Sequence, residues 1–141
     1  FTKLHTEVAH GAYNQGNKVG GRAPVTLSRA DAAARGLHEG DVVRIFNDRG
    51  ACLAALRISD DLRPGVARLS TGAWFDPSQW QPGELERHGN PNVLTLDIGA
   101  SRLSQGCSAQ TCLVQIEPFQ GEPPAAAPHA LPEFENDKDI S

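Results

Sequence analysis

Short β-rich runs, each closed off by turn residues and seldom separated by helix, recur through the first 119 residues and constrain the fold more than any other feature. Residues 24–27, 42–46, 52–58, 66–70, 93–96 and 111–117 have strand character, bounded by glycine, proline, asparagine and aspartate. A layered α/β sheet needs a helix after nearly every strand, because parallel neighbours are joined by long crossovers. The clearest helix signature is short: Ser28 as N-cap, Asp31 in the first turn, Ala32 to Ala34, and Gly36 as the stop. Asn47-Asp48-Arg49-Gly50 is turn chemistry between two strands and predicts a hairpin. The expected class is mainly β, a small closed structure with one or two short helices and long loops.

The loops are where function is expected. Residues 1–21 are rich in glycine and amides and read as one long loop, and residues 71–91 form a second irregular stretch containing Trp74, Phe75, Trp80 and several prolines. Beyond Phe119 a Pro/Ala-rich segment leads into an acidic finish, so residues 120–141 read as a flexible tail on a domain spanning residues 1–119.

That tail also explains the net charge of -4. Of 13 basic and 17 acidic residues, it holds one lysine and five acids, leaving twelve of each in the body. A neutral body does not present the extended basic surface that nonspecific nucleic-acid binding needs. No apolar run approaches the roughly 18 residues of a membrane helix, so no membrane insertion is expected. The chain has no methionine, even at its start, and reads as a piece of a longer polypeptide. Cys52, Cys107 and Cys112 are odd in number and fit neither a disulfide framework nor a CxxC motif; they read as reduced structural residues.

Catalytic motifs are missing from the sequence. It contains no GxSxG elbow, no HExxH, no phosphate loop and no GxGxxG, and its five histidines lack metal-ligand spacing. Asp60, Asp61, Glu84 and Glu86 sit in turn contexts and read as solvated loop acids. Three polar clusters stand out: Leu4-His5-Thr6, Asn47-Asp48-Arg49-Gly50 and His88-Gly89-Asn90-Pro91-Asn92. The last is the most unusual. Amides beside glycine and proline let backbone and side chain both offer donors and acceptors to a flat heterocycle, although the same residues also build plain turns.

Taken in order, these clusters resemble the C-terminal domain of the dimethyl sulfoxide, trimethylamine N-oxide and biotin sulfoxide reductases. The resemblance runs through Leu4-His5-Thr6, Asp31-Ala32-Ala33-Ala34-Arg35-Gly36, Gly40-Asp41-Val42-Val43-Arg44 and Phe46-Asn47-Asp48-Arg49-Gly50. It continues through Arg63-Pro64-Gly65-Val66, Thr71-Gly72-Ala73-Trp74-Phe75-Asp76-Pro77, His88-Gly89-Asn90-Pro91-Asn92-Val93-Leu94-Thr95 and Gln105-Gly106-Cys107. His88-Gly89-Asn90-Pro91-Asn92 and Gln105-Gly106-Cys107 lie nearest the biotin sulfoxide branch. Ala100 departs from the family pattern, where threonine is expected, and bears only on a local backbone contact.

The resemblance implies a double-psi β-barrel that shares in binding a bis(molybdopterin guanine dinucleotide) cofactor, enclosed between this domain and preceding domains of the same polypeptide. The metal's serine ligand would belong to one of those domains, so no catalytic residue and no metal ligand is expected here, and no activity from this chain alone. His5 and Thr6 would lie against the pterin-pyrophosphate region, Asn47 would reach a guanine or pterin edge, and His88, Asn90, Asn92 and Gln105 would bond a pterin. Trp74 and Asp76 would stand on a loop nearby. The biotin sulfoxide branch favours the cytoplasm over the periplasm. The alternative is a free-standing double-psi barrel that serves as an interaction module without molybdenum.

Overall fold

A computed structural model describes residues 11–79, 81, 83–108, 112–128 and 130. The elements in chain order are α1 (Ala12–Gly16), β1 (Pro24–Ser28), α2 (Arg29–Ala34), β2 (Val42–Asn47), β3 (Gly50–Ser59) and β4 (Arg68–Leu69). A 3-10 turn (Pro91–Val93) and β5 (Gln115–Pro118) follow. The strands form one mixed sheet in the order β4-β1-β3-β2-β5, with β1 and β3 parallel and the other pairs antiparallel. The chain is thus mainly β with two short helices among the described residues.

The expected hairpin is present: β2 and β3 pair from Val42 with Ala55 to Asn47 with Gly50, leaving Asp48 and Arg49 as the turn. Ser28 caps α2, its Oγ accepting from the Asp31 amide at 3.1 Å and donating to Asp31 Oδ2 at 2.7 Å. Gly36 leaves the helix at φ 65°, a conformation that costs side-chain-bearing residues steric strain.

Three expectations change. Residues 12–16 of the supposed long loop form α1. The strand expected at residues 93–96 is replaced by the 3-10 turn, because Pro91 has a fixed φ suited to the first helical position and Asn90 caps the turn through Asn92 N. The strand expected at 66–70 shortens to Arg68–Leu69, which pairs only with Val25 and Thr26. The stretch read as a tail begins by running back over the body: Arg22 donates to Pro124 O, and Ala127 N donates to Asp76 Oδ2 at 2.9 Å.

β3 is the central strand, buried from Ala51 through Leu56. Cys52, Ala54 and Leu56 face a cluster that includes Val25, Leu27, Leu37, Val43, Ile45 and Leu94. Each large apolar side chain buried there contributes about 1.5–3 kcal/mol. Burial also pushes the Cys52 thiol pKa far up, which keeps it protonated and supports a packing role.

One edge of β3 belongs to β2, but the other is divided. β1 pairs with residues 55–59, whereas the first half of the strand bonds to the loop around Glu86. Glu86 N donates to Ala51 O at 3.0 Å and Leu53 N donates to Glu86 O at 2.7 Å. Ala23 N then reaches His88 O at 2.9 Å. The 86–90 loop is thereby stitched into the sheet without being a strand itself.

Removing the α2 cap by Ser28→Ala should lower unfolding stability by about 0.5–2 kcal/mol. Urea titration should show a lower midpoint with an unchanged slope.

Candidate functional site

The buried carboxylate of Glu86, 0% exposed, organises the loop that carries the most unusual polar cluster. Its Oε1 accepts from Asp76 N at 3.2 Å and His88 N at 2.9 Å; Oε2 accepts from Gly89 N and Asn90 N, both at 2.7 Å. Four backbone donors converge on one side chain. Burial raises the Glu86 pKa above the ordinary carboxylate value, while those four amides draw it downward without cancelling the rise. Glu86 is therefore a buried brace, and the reading of it as a solvated loop acid is corrected. Asp60, by contrast, is exposed and pairs with exposed Arg29.

Gly89 follows from the same geometry. Its φ is 93°, and a Cβ there would stand 3.0 Å from Ala23 Cβ and 3.3 Å from Ala23 O. Glycine alone lets the loop press this closely against the sheet.

Around the brace the fold brings together four of the sequence-predicted residues. His88, fully buried, places Nδ1 2.9 Å from Trp74 O; a carbonyl only accepts, so Nδ1 carries the proton. Asn90 donates from Nδ2 to Ala73 O at 2.9 Å and accepts at Oδ1 from Asn92 N at 2.9 Å. Asp76, 6% exposed, is ion-paired with Arg87. The 71–76 and 86–90 segments are thus cross-braced by four residue pairs: Asn90 to Ala73, His88 to Trp74, Glu86 to Asp76 and Arg87 to Asp76.

This cross-bracing walls a narrow cleft of about 20 Å³ lined by Asn14, Lys18, Ala23, His88 and residues 70–73. Partial burial lowers the pKa of the Lys18 ammonium, the cation of this cleft.

The other predicted residues lie apart. Asn47 donates to Leu94 O at 2.8 Å and Leu113 O at 3.2 Å and accepts from Arg49 N at 3.0 Å, tying the hairpin turn to two later segments. Gln105, at φ 50°, closes its own exposed loop by donating to Ser101 O at 3.0 Å. Asn92 is exposed, and its side-chain amide has no hydrogen-bond partner among the described residues. His5 and Thr6 lie outside the described residues.

Sequence reasoning missed Glu86, Asn14, Lys18, Arg22 and Arg87. No local motif marks a buried glutamate, since its four donors are backbone groups. Asn14 and Lys18 sat in a stretch read only as loop. No group of three or more histidine, cysteine or acidic residues able to hold a metal ion occurs among the described residues.

Replacing Glu86 with glutamine keeps the size but turns one acceptor into a donor facing two backbone N–H groups. Two buried donors left unpaired cost about 1–3 kcal/mol each, so Glu86→Gln should lose about 2–6 kcal/mol of unfolding stability. A pH series adds a second readout. With the folded-state pKa raised, the native state holds this proton more tightly than the unfolded chain. The Glu86 contribution should therefore be fully present below the ordinary glutamate pKa, decline as pH rises through the raised folded value, and be flat above it. Glu86→Gln should abolish that slope.

Comparison with known proteins places this geometry in context. Residues 2–113 match the family model described as "Molydopterin dinucleotide binding domain". Over 121 residues the chain is 50% identical to trimethylamine-N-oxide reductase 1 of Escherichia coli O6:H1, covering 84% of this chain and 14% of that protein. It is 48% identical over 120 residues to biotin sulfoxide reductase of Cereibacter sphaeroides, covering 85% of this chain and 16% of that protein. With the dimethyl sulfoxide/trimethylamine N-oxide reductase of Rhodobacter capsulatus it shares 41% identity over 122 residues, 86% of this chain and 15% of that protein. The chain thus spans about one-seventh of the length of these curated relatives. With the match covering most of its length, the chain belongs to the molybdopterin dinucleotide-binding domain family.

Proposed function

We propose that this domain forms one wall of a bis(molybdopterin guanine dinucleotide) site in a larger oxidoreductase that reduces S- or N-oxides, and that its sheet closes as a double-psi β-barrel. The observation that carries the reading is the cleft bounded by two loops that are pinned by the protein's own hydrogen bonds to each other and to β3. Preorganisation of this kind lowers the ordering cost of binding. The named activities of the relatives support the oxide class, and their length supports a site shared with other parts of a long polypeptide.

The residues fit part of such a cofactor. The cleft has room for little more than a water-sized group, so it would receive an edge or a phosphate oxygen of the dinucleotide and leave the rest to other parts of a shared site. Lys18 offers a cation for a phosphate, Asn14 and His88 line the same cleft, and Asn92 presents an exposed side-chain amide two residues beyond Asn90. The oxygen-atom transfer belongs to the molybdenum of the bound cofactor. This chain's own residues bind and orient it: Glu86 holds the backbone, Asn90 and His88 hold the facing loop, and the loops keep water from that side.

Asn90 and Asn92 therefore separate two roles. In the complete polypeptide, Asn92→Ala should weaken cofactor retention about two- to twelve-fold, the equivalent of one hydrogen bond of about 0.5–1.5 kcal/mol, with melting temperature unchanged. Asn90→Ala should lower the melting temperature, because both ends of its amide brace the loops. Pterin content per folded molecule, measured beside melting, checks both. Normal pterin content in Asn92→Ala would remove that residue from the site.

A further inference from the structure

The segment after β5 contains Pro123, Pro124, Ala125, Ala126, Ala127 and Pro128, which composition alone marks as a loose tail. Its two bonds to the body fall on groups that have few other ways to be satisfied. Arg22, 4% exposed, donates from one terminal nitrogen to Gly20 O at 3.3 Å and from the other to Pro124 O. Asp76, 6% exposed, divides its carboxylate between Arg87 at Oδ1 and Ala127 N at Oδ2. Arg22 adjoins Ala23, which lines the cleft, and Asp76 ends the loop whose residues 71–73 also line it. The segment thus links two of the chain segments that contribute to the cleft.

Its composition suits that task. Proline fixes φ and offers no N–H, so a proline-rich stretch loses little conformational freedom on docking and brings few donors that need partners. Two bonds onto buried charged groups then suffice to hold it, where a flexible chain of the same length would need more.

We propose that residues 120–128 are a strap that ties Asp76, at the end of the 71–76 loop, to Arg22 beside Ala23 and so holds the cleft in its binding shape. In the complete polypeptide the strap also governs cofactor retention, a consequence that rests on the function proposed above; its effect on loop motion does not.

Hydrogen exchange in the complete polypeptide tests it, read at the amides of Asp76, Arg87, His88 and Asn90, each of which donates across or within the two loops. Two variants are compared with the parent: a stop after Phe119, and Ala127→Pro, which deletes a single donor. Both should speed exchange at these amides by at least about ten-fold while those of Ala54 and Leu56, on the β2 side of β3, stay protected, and both should lower bound pterin. Unchanged loop exchange in both variants would overturn the strap. If truncation also exposes β3, the Ala127→Pro result decides, since it leaves the rest of the segment in place. Faster loop exchange with pterin content unchanged would leave the strap standing on the loops and defeat its link to the cofactor.

Discussion

A single buried carboxylate sets the geometry on which this domain's candidate site depends. Glu86 takes four backbone N–H groups from residues 76, 88, 89 and 90, so one side chain fixes the relative positions of two loops distant in sequence from the strand they pack on. Its own backbone is bonded into β3, which makes the brace an extension of the sheet. Such an arrangement is costly to desolvate, and the raised pKa records that cost. It is retained because polar loop backbone packed against a sheet must find partners, and a carboxylate is the one side chain that accepts from four donors at once.

The elements legible in the sequence were those governed by local chemistry. Ser28 and Gly36 mark the ends of α2, and Asn47 to Gly50 mark a hairpin, because capping and tight turns depend on residues close in the chain. The ordered clusters that resemble the family were legible for a different reason, since their combination is specific even though each piece is weak. Glu86 was invisible because its partners are amides, which every residue carries, and its burial depends on β1 and β3 arriving from elsewhere. Residues 93–96 have strand-like composition, yet Pro91 and the Asn90 cap decide for a 3-10 turn.

The predicted site residues divide according to what their side chains touch. Asn47, Asn90, Asp76 and Gln105 spend their polar atoms on the protein's own backbone or on Arg87. They are the kind of residue a ligand loop needs in order to be rigid, which explains why motif reasoning selects them. Lys18 and His88 line the cleft, and Asn92 is exposed. A polar motif in sequence thus mixes residues that hold a loop with residues left exposed or lining a cleft, and only the three-dimensional arrangement sorts them.

The central claim is that the domain offers a cleft already shaped by Glu86 and its cross-braced loops to one part of a molybdopterin dinucleotide. A crystal structure of the complete polypeptide with its cofactor bound tests this most directly. The account predicts a ring or phosphate of the cofactor within hydrogen-bond reach of the cleft formed by Asn14, Lys18, His88 and residues 70–73, with the four amides still on Glu86. A cofactor seated away from this cleft, or a Glu86 carboxylate released from residues 88 to 90 on binding, would contradict it.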